Sequence, residues 1–514
     1  MKKTVGMLLI IILLSKFGGF IMDIAITYYY GASYITDAYI VSITIPNTVL
    51  ALISTGINTS YIPIYSDIEK KYGPDKCNDF TNYMINLLVI FCATLCVVVL
   101  LFTKPIILVL ASGFEAEALE LAILFTRLGI VQLIFLAVSY LLHAYLQLKK
   151  SFLVPGLLSF PMKLIVILSI VISYKTDKSI LVIGTVAASL TETAILLILS
   201  YRKQYKYKPK LNIKDESLKK LGSLVLPAIA GTSTSQLNQM VDKTIASRTA
   251  EGGISALNYA HQLEGFISGT VVQSALAVVY PDMAKKAAHN DITGLKKMLN
   301  SALILVSLLI IPGTIGAMVF SEPIVEMLFS RGAFDYRAVS MTASAWFFYS
   351  TGMLWFGARA LMVRVFYTLH DTKSPVKNSF IGVAINIVLN IVLSRYLGVG
   401  GLALAASISE FISMNLLMTV LRKKIRSLHI KQLLVPLVKI LVASLLMGHA
   451  AYQAYQFLGE IFNKTLSLLL SIFLGVVFYT AFILLFKIEF VDLTVRSALE
   501  RLRKKLISGF LKKV

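Results

Sequence analysis

The sequence predicts an all-α polytopic membrane protein with about fourteen transmembrane helices, and three observations lead to this fold class. First, 57% of the 514 residues are hydrophobic and only 15% are charged, whereas about 25% of the residues in a soluble domain are charged. Second, Lys and Arg concentrate in alternate gaps between long apolar runs. Third, the second half of the chain repeats the pattern of the first. We therefore expect lipid to surround most of this chain.

The individual spans follow from length, because a transmembrane helix needs about 20 predominantly apolar residues. The first run lacks a short hydrophobic region with a small-residue cleavage site, so we expect a retained helix and not a signal peptide. The predicted helices are 4–30, 37–66, 81–103, 116–147, 152–174, 179–202, 217–247, 254–284, 293–320, 337–369, 375–396, 401–422, 432–457 and 463–487. The segment from Val491 onward is basic on one side and apolar on the other, which predicts an interfacial helix; a solvated tail is the alternative.

The positions of the basic residues predict the orientation of the chain. Loops that are rich in Lys and Arg stay on the cytoplasmic side. The rich gaps include 70–76, 149–150, 202–220, 285–297 and 422–431, and both ends of the chain are basic. We therefore expect both termini to be cytoplasmic. The net charge of +22 then reflects topology, and nucleic acid is not an expected partner.

An internal duplication divides the spans into two groups of six, followed by two further helices. Pro105 and Pro323 lie in similar stretches 218 residues apart, and Pro63 and Pro281 lie in another similar pair with the same offset. Because each half has an even number of helices, both halves begin on the same side and form a parallel repeat. The predicted organisation is an N-lobe at 1–202, a cytoplasmic linker at 203–216, a C-lobe at 217–424, helices thirteen and fourteen at 425–487, and a basic amphipathic tail at 488–514.

Polar side chains within the predicted spans are the candidate functional residues, because an ionisable group costs about 2.5 kcal/mol or more at the bilayer centre. Lys16 and Asp23 are seven residues apart, close to two helical turns, so they share a face of the first helix. For some candidates a structural ion pair or an interfacial position is the alternative, and for Lys163 and Arg127 packing or topology is favoured over a functional role, which stays open. The candidate substrate-binding residues are Lys16, Asp23, Asp37, Asn47, Lys243, Ser255, His261, Gln262, Arg359 and Arg364.

Catalytic motifs are not recognisable in this sequence. It has no phosphate-binding loop, no H-E-x-x-H motif and no evident nucleophile with its base. We therefore expect a transporter and not an enzyme, with no required cofactor. Without an ATP site, the work of transport would come from a substrate gradient, an ion gradient or the membrane potential, which is worth about 2.3 kcal/mol per charge per 100 mV.

Seven stretches, in the right order through both halves, resemble the MurJ (MviN) lipid II flippases of the MOP superfamily. The resemblance implies a flippase that carries the undecaprenyl-diphosphate-linked peptidoglycan precursor to the outer leaflet of the bacterial cell membrane by alternating access. Cations of a central cavity would hold the diphosphate. The implied partners are this lipid-linked anionic glycan, membrane lipids and cell-wall synthases. The stretches are SKFGGFIMD, GASYITDAYIVSITIPN, GINTSYIPIYSD, QLNQMVDKTIAS, ISALNYAHQLEGF, LFSRGAFD and RVFYTLHDTKSPV.

The cavity residues match the family's pattern only in part. Lys16 stands at a family arginine and keeps its charge, whereas Met22, Leu50 and Gln262 stand at three other family arginines. The resemblance also implies a sodium site of the kind found in some members. Its residues here would be Asp242, Asn386 and Asn390, with Asn390 standing for an aspartate.

Three alternatives to a lipid II flippase stay open. The missing arginines favour a flippase for another polyprenyl-linked oligosaccharide, such as an exopolysaccharide or teichoic-type unit. An ion-coupled exporter of small cationic drugs should have acidic cavity residues without basic companions, and Lys16 and Lys243 argue against it. A membrane scaffold without transport would have to retain costly buried charges in both repeats.

Overall fold

The computed structural model describes residues 2–151, 153–210, 212, 215–425 and 430–487, and its regular secondary structure there is entirely helical. The predicted interfacial tail lies outside the described residues. A five-residue π-helical turn spans Ile57–Tyr61. The helices are α1 (Lys2–Tyr30), α2 (Tyr34–Gly56), α3 (Ile62–Tyr72), α4 (Pro74–Leu101), α5 (Thr103–Leu110), α6 (Ala116–Gly129), α7 (Gln132–Leu148), α8 (Val154–Lys175), α9 (Ile180–Arg202), α10 (Glu216–Thr249), α11 (Gly253–Ala288), α12 (Ile292–Val319), α13 (Ser321–Phe329), α14 (Tyr336–Thr368), α15 (Lys373–Ile425), α16 (Ile430–Gly459) and α17 (Lys464–Leu485).

The fold class predicted from hydropathy is confirmed. In the described part of the chain, nine helices are long and apolar enough to cross a membrane, and ten if one bent pair counts as a single span. Each predicted span coincides with a helix or with consecutive helical segments. The total of fourteen crossings stays a prediction.

One predicted span is broken in the middle. The run at 116–147 forms α6 and α7, which meet at an angle of 46°. Gly129 ends α6, and a Cβ atom there would lie 2.7 Å from a methyl carbon of Val182. Glycine therefore lets α6 approach α9 closely at the bend.

A second break separates two predicted spans at a single glycine. The helical segment α15 is 53 residues long, but Gly398 within it has a φ of 57° and a ψ of −135°. This left-handed conformation suits glycine, since it has no Cβ. The predicted boundary between 375–396 and 401–422 therefore lies where the structure places a kink.

The described residues form two compact units. The first comprises Met1–Tyr259, Leu328–Met341 and Ile387–Leu402, and the second comprises Ala260–Met327, Thr342–Asn386 and Ala403–Val514. These units group helices by proximity, whereas the lobes predicted above group them by sequence similarity. The lobe boundaries therefore stay a prediction. In the second unit, the largest apolar core is built from α11, α12, α14, α15 and α16.

A cluster of tyrosines anchors the linker to the first unit. Tyr61, Tyr65 and Tyr145 are buried in the core between α3, α4 and α7. Tyr205 comes from the linker, is also fully buried, and lies 5.5 Å from the Tyr145 ring. The Tyr145 hydroxyl donates to the carbonyl oxygen of Lys203 at 3.0 Å. The linker thus begins as part of the folded core.

Three asparagines on α4, each one turn from the next, continue this attachment. We call Asn78, Asn82 and Asn86 the asparagine ladder. Their side-chain amides donate to linker carbonyl oxygens, namely Asn78 to Gln204 at 3.2 Å, Asn82 to Lys206 at 3.0 Å and Asn86 to Lys210 at 2.7 Å. In return, the Tyr205 and Tyr207 hydroxyls donate to the side-chain oxygens of Asn82 and Asn86 at 2.6 and 2.7 Å. The polar segment 204–210 is therefore held along α4.

Two glycine loops pack on helix ends from the other half of the sequence. Gly332 has a φ of 66°, and a Cβ there would lie 2.1 Å from the Tyr28 carbonyl oxygen at the end of α1. The Ala333 amide donates to that oxygen at 2.8 Å. In the same way, a Cβ on Gly113 would lie 2.3 Å from the Ser247 carbonyl oxygen at the end of α10. Gly113 and Gly332 are 219 residues apart, as are Tyr28 and Ser247, so the two contacts follow the sequence repeat.

We expect Gly332→Val to lower the apparent melting temperature of the purified protein in detergent. The valine would combine a strained positive φ with a clash against backbone, at a cost of about 2 kcal/mol or more. Gly269→Ala is the control, because a Cβ at Gly269 meets nothing within 4 Å. Equal melting temperatures for the two variants would contradict the close packing described above.

We also expect Asn82→Leu to expose the linker to trypsin. The substitution removes two hydrogen bonds, each worth about 1 kcal/mol, so cleavage after Lys206 should accelerate roughly thirtyfold. Asn415→Leu is the control. It makes the same substitution at a position where the side-chain amide donates to the Phe411 carbonyl oxygen of its own helix. If both variants are cut at the wild-type rate, the asparagine ladder does not hold the linker.

Candidate functional site

Two of the predicted site residues bind each other. Asp37 on α2 is 2% exposed, and its Oδ1 accepts a hydrogen bond from the Ser255 backbone amide at 2.7 Å. Ser255 lies in the first turn of α11, where backbone amides have no partner within the helix and the helix dipole favours a negative charge. The carboxylate of Asp37 therefore caps α11. Positions 37 and 255 are 218 residues apart, so equivalent positions of the repeat meet here.

The ionisable pair of α10 contacts two different helices. The Lys243 ammonium donates to the Thr44 hydroxyl on α2 at 2.8 Å. The buried carboxylate of Asp242 accepts a hydrogen bond through Oδ1 from the Asn390 side chain on α15 at 2.6 Å. Adjacent residues of α10 thus present a cation to α2 and an anion to α15.

The residues implied for sodium include one direct contact. Asp242 accepts from the amide nitrogen of Asn390 at 2.6 Å and from that of Asn238 at 3.4 Å. Asn386 and Asn390 are also buried. The sodium site stays a prediction.

The first helix presents its two predicted residues differently. Lys16 is exposed, whereas Asp23 is buried. A third ionisable residue, Lys163 on α8, reaches the same part of α1 and donates to the Ser15 carbonyl oxygen. The sequence favoured packing or topology for Lys163, because the partner of α8 is not apparent from the chain alone. The pair Gly18–Gly19 is the signal that α1 receives a neighbouring side chain, but it does not identify that side chain.

In the second unit, Arg359 is paired with an acidic residue. Its Nε and Nη2 donate to the two carboxylate oxygens of Glu410 at 2.6 and 2.8 Å. Bidentate pairs of this kind are among the strong hydrogen bonds of proteins. The positive charge of Arg359 is therefore balanced by Glu410, a partner that sequence reasoning did not assign to it.

Arg364, one of the other predicted cations, stacks on aromatic rings. Its guanidinium carbon lies 5.5 Å from the ring centre of Tyr280 and 5.9 Å from that of Tyr367. His261 lies near Tyr349, with ring centres 5.6 Å apart, and its Nδ1 is 3.7 Å from a carboxylate oxygen of Glu264.

Asn47 and Gln262 are exposed side chains. Asp37 meets Ser255, and Lys243 meets Thr44.

The fold and these residues define a class, that of polytopic helical membrane transporters built from two halves with charged residues in their interior. The chain matches the family model of the lipid II flippase MurJ over residues 26–487, and it belongs to that family.

Two curated relatives give the extent of the similarity. A probable lipid II flippase MurJ of Buchnera aphidicola subsp. Baizongia pistaciae is 29% identical over 426 residues, covering 81% of this chain and 82% of the relative. The lipid II flippase MurJ of Burkholderia cenocepacia is 26% identical over 427 residues, covering 80% of this chain and 82% of the relative.

Two solved structures share the fold. Lipid II flippase MurJ in an inward closed conformation aligns with a TM-score of 0.81 at 23% identity, covering 95% of this chain and 99% of that one. An inward-facing multidrug resistance MATE family transporter of the MOP superfamily aligns with a TM-score of 0.71 at 11% identity, covering 80% and 94%. At these identities the structural likeness concerns the fold alone.

We expect Asp37→Ala to destabilise the protein and Asp37→Asn to do so much less. Loss of a helix N-cap costs about 1–2 kcal/mol, and an asparagine oxygen accepts the same amide hydrogen. The measurement is the apparent melting temperature of each variant in detergent. Equal melting temperatures for Asp37→Ala and wild type would show that the carboxylate does not hold the start of α11.

Proposed function

We propose that this protein is a lipid II flippase, which moves the undecaprenyl-diphosphate-linked peptidoglycan precursor from the inner to the outer leaflet. The observation that supports the proposal most strongly is membership of the MurJ family over residues 26–487. The charge distribution supports a location in the bacterial cytoplasmic membrane with both termini inside. The protein acts as a transporter, without catalytic chemistry of its own.

Alternating access would use the contacts between the two halves of the sequence. The positive-inside rule puts the ends of α1 and α10 at the outer side. The loops of Gly113 and Gly332 and the Asp37 cap then close that side. Each hydrogen bond there contributes about 1 kcal/mol. Substrate binding and the membrane potential, worth about 2.3 kcal/mol per charge per 100 mV, would supply the work of opening such contacts.

Cations in the interior would bind the diphosphate. Lysine binds phosphate as a point charge. Lys16 is an exposed cation on α1, and the Lys243 ammonium donates to the neutral hydroxyl of Thr44. Arg359 is less suitable because Glu410 balances its charge. The headgroup would pass through the polar interior while the polyprenyl chain stays in lipid.

A flippase for another polyprenyl-linked oligosaccharide is the second candidate. Residues Met22, Leu50 and Gln262 stand where the family pattern has arginines. Arg359 does not replace them, since its guanidinium is bound to Glu410. A cavity with fewer cations suits a different anionic headgroup, and this observation favours the second candidate.

The test is complementation of a bacterial strain depleted of its essential lipid II flippase. We expect the wild-type chain to restore growth and the double variant Lys16→Ala with Lys243→Ala to lose it. Each lost charged hydrogen bond costs about 1.5–3 kcal/mol, equivalent to about tenfold or more in rate.

Lys285→Ala is the control, because Lys285 is an exposed cation near the end of α11. Immunoblots of the membrane fraction establish that all chains are present at equal levels. Growth restored by the double variant would exclude the cationic mechanism. A well-expressed wild-type chain that fails to restore growth would favour the second candidate.

A further inference from the structure

Lys163 lies between α8 and α1, where its side chain has polar neighbours on both helices. It is the tenth residue of α8, which runs from Val154 to Lys175, so it lies far from both ends of an apolar helix. Its ammonium donates to the Ser15 carbonyl oxygen on α1 and lies 3.4 Å from the Ser15 hydroxyl. One turn earlier on α8, the Ser159 hydroxyl lies 2.7 Å from the same Ser15 hydroxyl. A lysine that only marked topology would direct its ammonium to the membrane surface.

The glycine pair of α1 makes room for this lysine. A Cβ on Gly19 would lie 3.4 Å from the Lys163 ammonium nitrogen, and one on Gly18 would lie 3.3 Å from its Cδ. Glycine weakens a helix interior relative to alanine, so two consecutive glycines there need a packing reason. The reason here is the passage of the Lys163 side chain across α1.

The electrostatics of this position suit an anionic ligand. The Ser15 oxygens are neutral acceptors, and among the described residues they account for two of the three ammonium hydrogens. The charge of Asp23, two turns further along α1 than Lys16, also acts on the ammonium. Lys16 follows Ser15 directly in the chain. The two positive charges of Lys16 and Lys163 thus stand against the one negative charge of Asp23, so these three groups together carry a net positive charge when ionised.

We infer that Lys163 contacts the substrate and binds a phosphate of the lipid-linked diphosphate together with Lys16. This inference rests on the proposed function and assigns a residue for which the sequence favoured packing or topology. The Lys163 side chain is half-buried and so retains access to a ligand. Its long, flexible stem lets the ammonium leave the Ser15 carbonyl oxygen and donate to a phosphate oxygen instead. Gly18 and Gly19 then serve the site by keeping the path of that stem clear.

The test measures binding of three probes to the purified full chain in nanodiscs, namely undecaprenyl diphosphate, undecaprenyl monophosphate and uncharged undecaprenol. We expect Lys163→Gln to weaken diphosphate binding about tenfold or more, to weaken monophosphate binding less, and to leave undecaprenol binding unchanged. Lys163→Arg keeps the charge and should keep most of the preference for diphosphate over undecaprenol. Lys206→Gln, which removes an exposed cation of the linker, should bind all three probes as wild type does.

The outcomes separate this inference from the proposed function. If wild type prefers diphosphate and Lys163→Gln keeps the full preference, Lys163 does not contact the substrate, while the proposed function stands. If Lys163→Gln loses affinity for all three probes equally, its role is structural and the inference is wrong. If wild type shows no preference for diphosphate over undecaprenol, both the inference and the proposed function are wrong.

Discussion

The capping of α11 by the Asp37 carboxylate fixes the first turn of α11 against α2 within the first unit. Backbone amides inside a membrane must find partners within the protein, and the first turn of α11 finds one on α2. The same approach brings Gly252, with a φ of 75°, so close to α2 that a Cβ would lie 2.1 Å from the Ala32 carbonyl oxygen. Gly252 permits the close approach, and Asp37 accepts from the backbone amide that the approach buries. The glycine and the aspartate are therefore required together.

The cations inside this protein differ in whether they donate to a carboxylate or to a neutral oxygen, and this difference decides how well each would bind an anionic substrate. Two of the three guanidinium nitrogens of Arg359 donate to the Glu410 carboxylate, which makes a bidentate structural pair. Lys163 and Lys243 are bound by neutral oxygens. A neutral acceptor positions an ammonium without a direct ion pair, and the negative charges that act on these two lysines are those of Asp23 and Asp242. The cations best suited to a diphosphate therefore come from α1, α8 and α10.

The linker illustrates how a polar composition is compatible with a fixed conformation. Its segment 204–210 consists largely of Lys, Tyr and Gln, which are typical of a solvated tether. Nevertheless, the asparagine ladder bonds its backbone and Tyr205 inserts into the core. Asparagine is suited to this role because its side chain both donates to a carbonyl oxygen and accepts from a tyrosine hydroxyl. Any movement of α4 therefore carries this part of the linker with it.

Hydropathy, charge and repeat spacing in the sequence by themselves determined the helical membrane class, the positions of the helices and the break near Gly398, because these depend on residues close together in the chain. The family resemblance was also contained in local motifs. Only the tertiary structure decided the partners. The pairs Asp37 with Ser255 and Lys163 with Ser15 join residues 218 and 148 positions apart. Such pairs depend on how helices pack, and the apolar pattern of a span reports only that it is buried in lipid or protein, not which helix lies beside it.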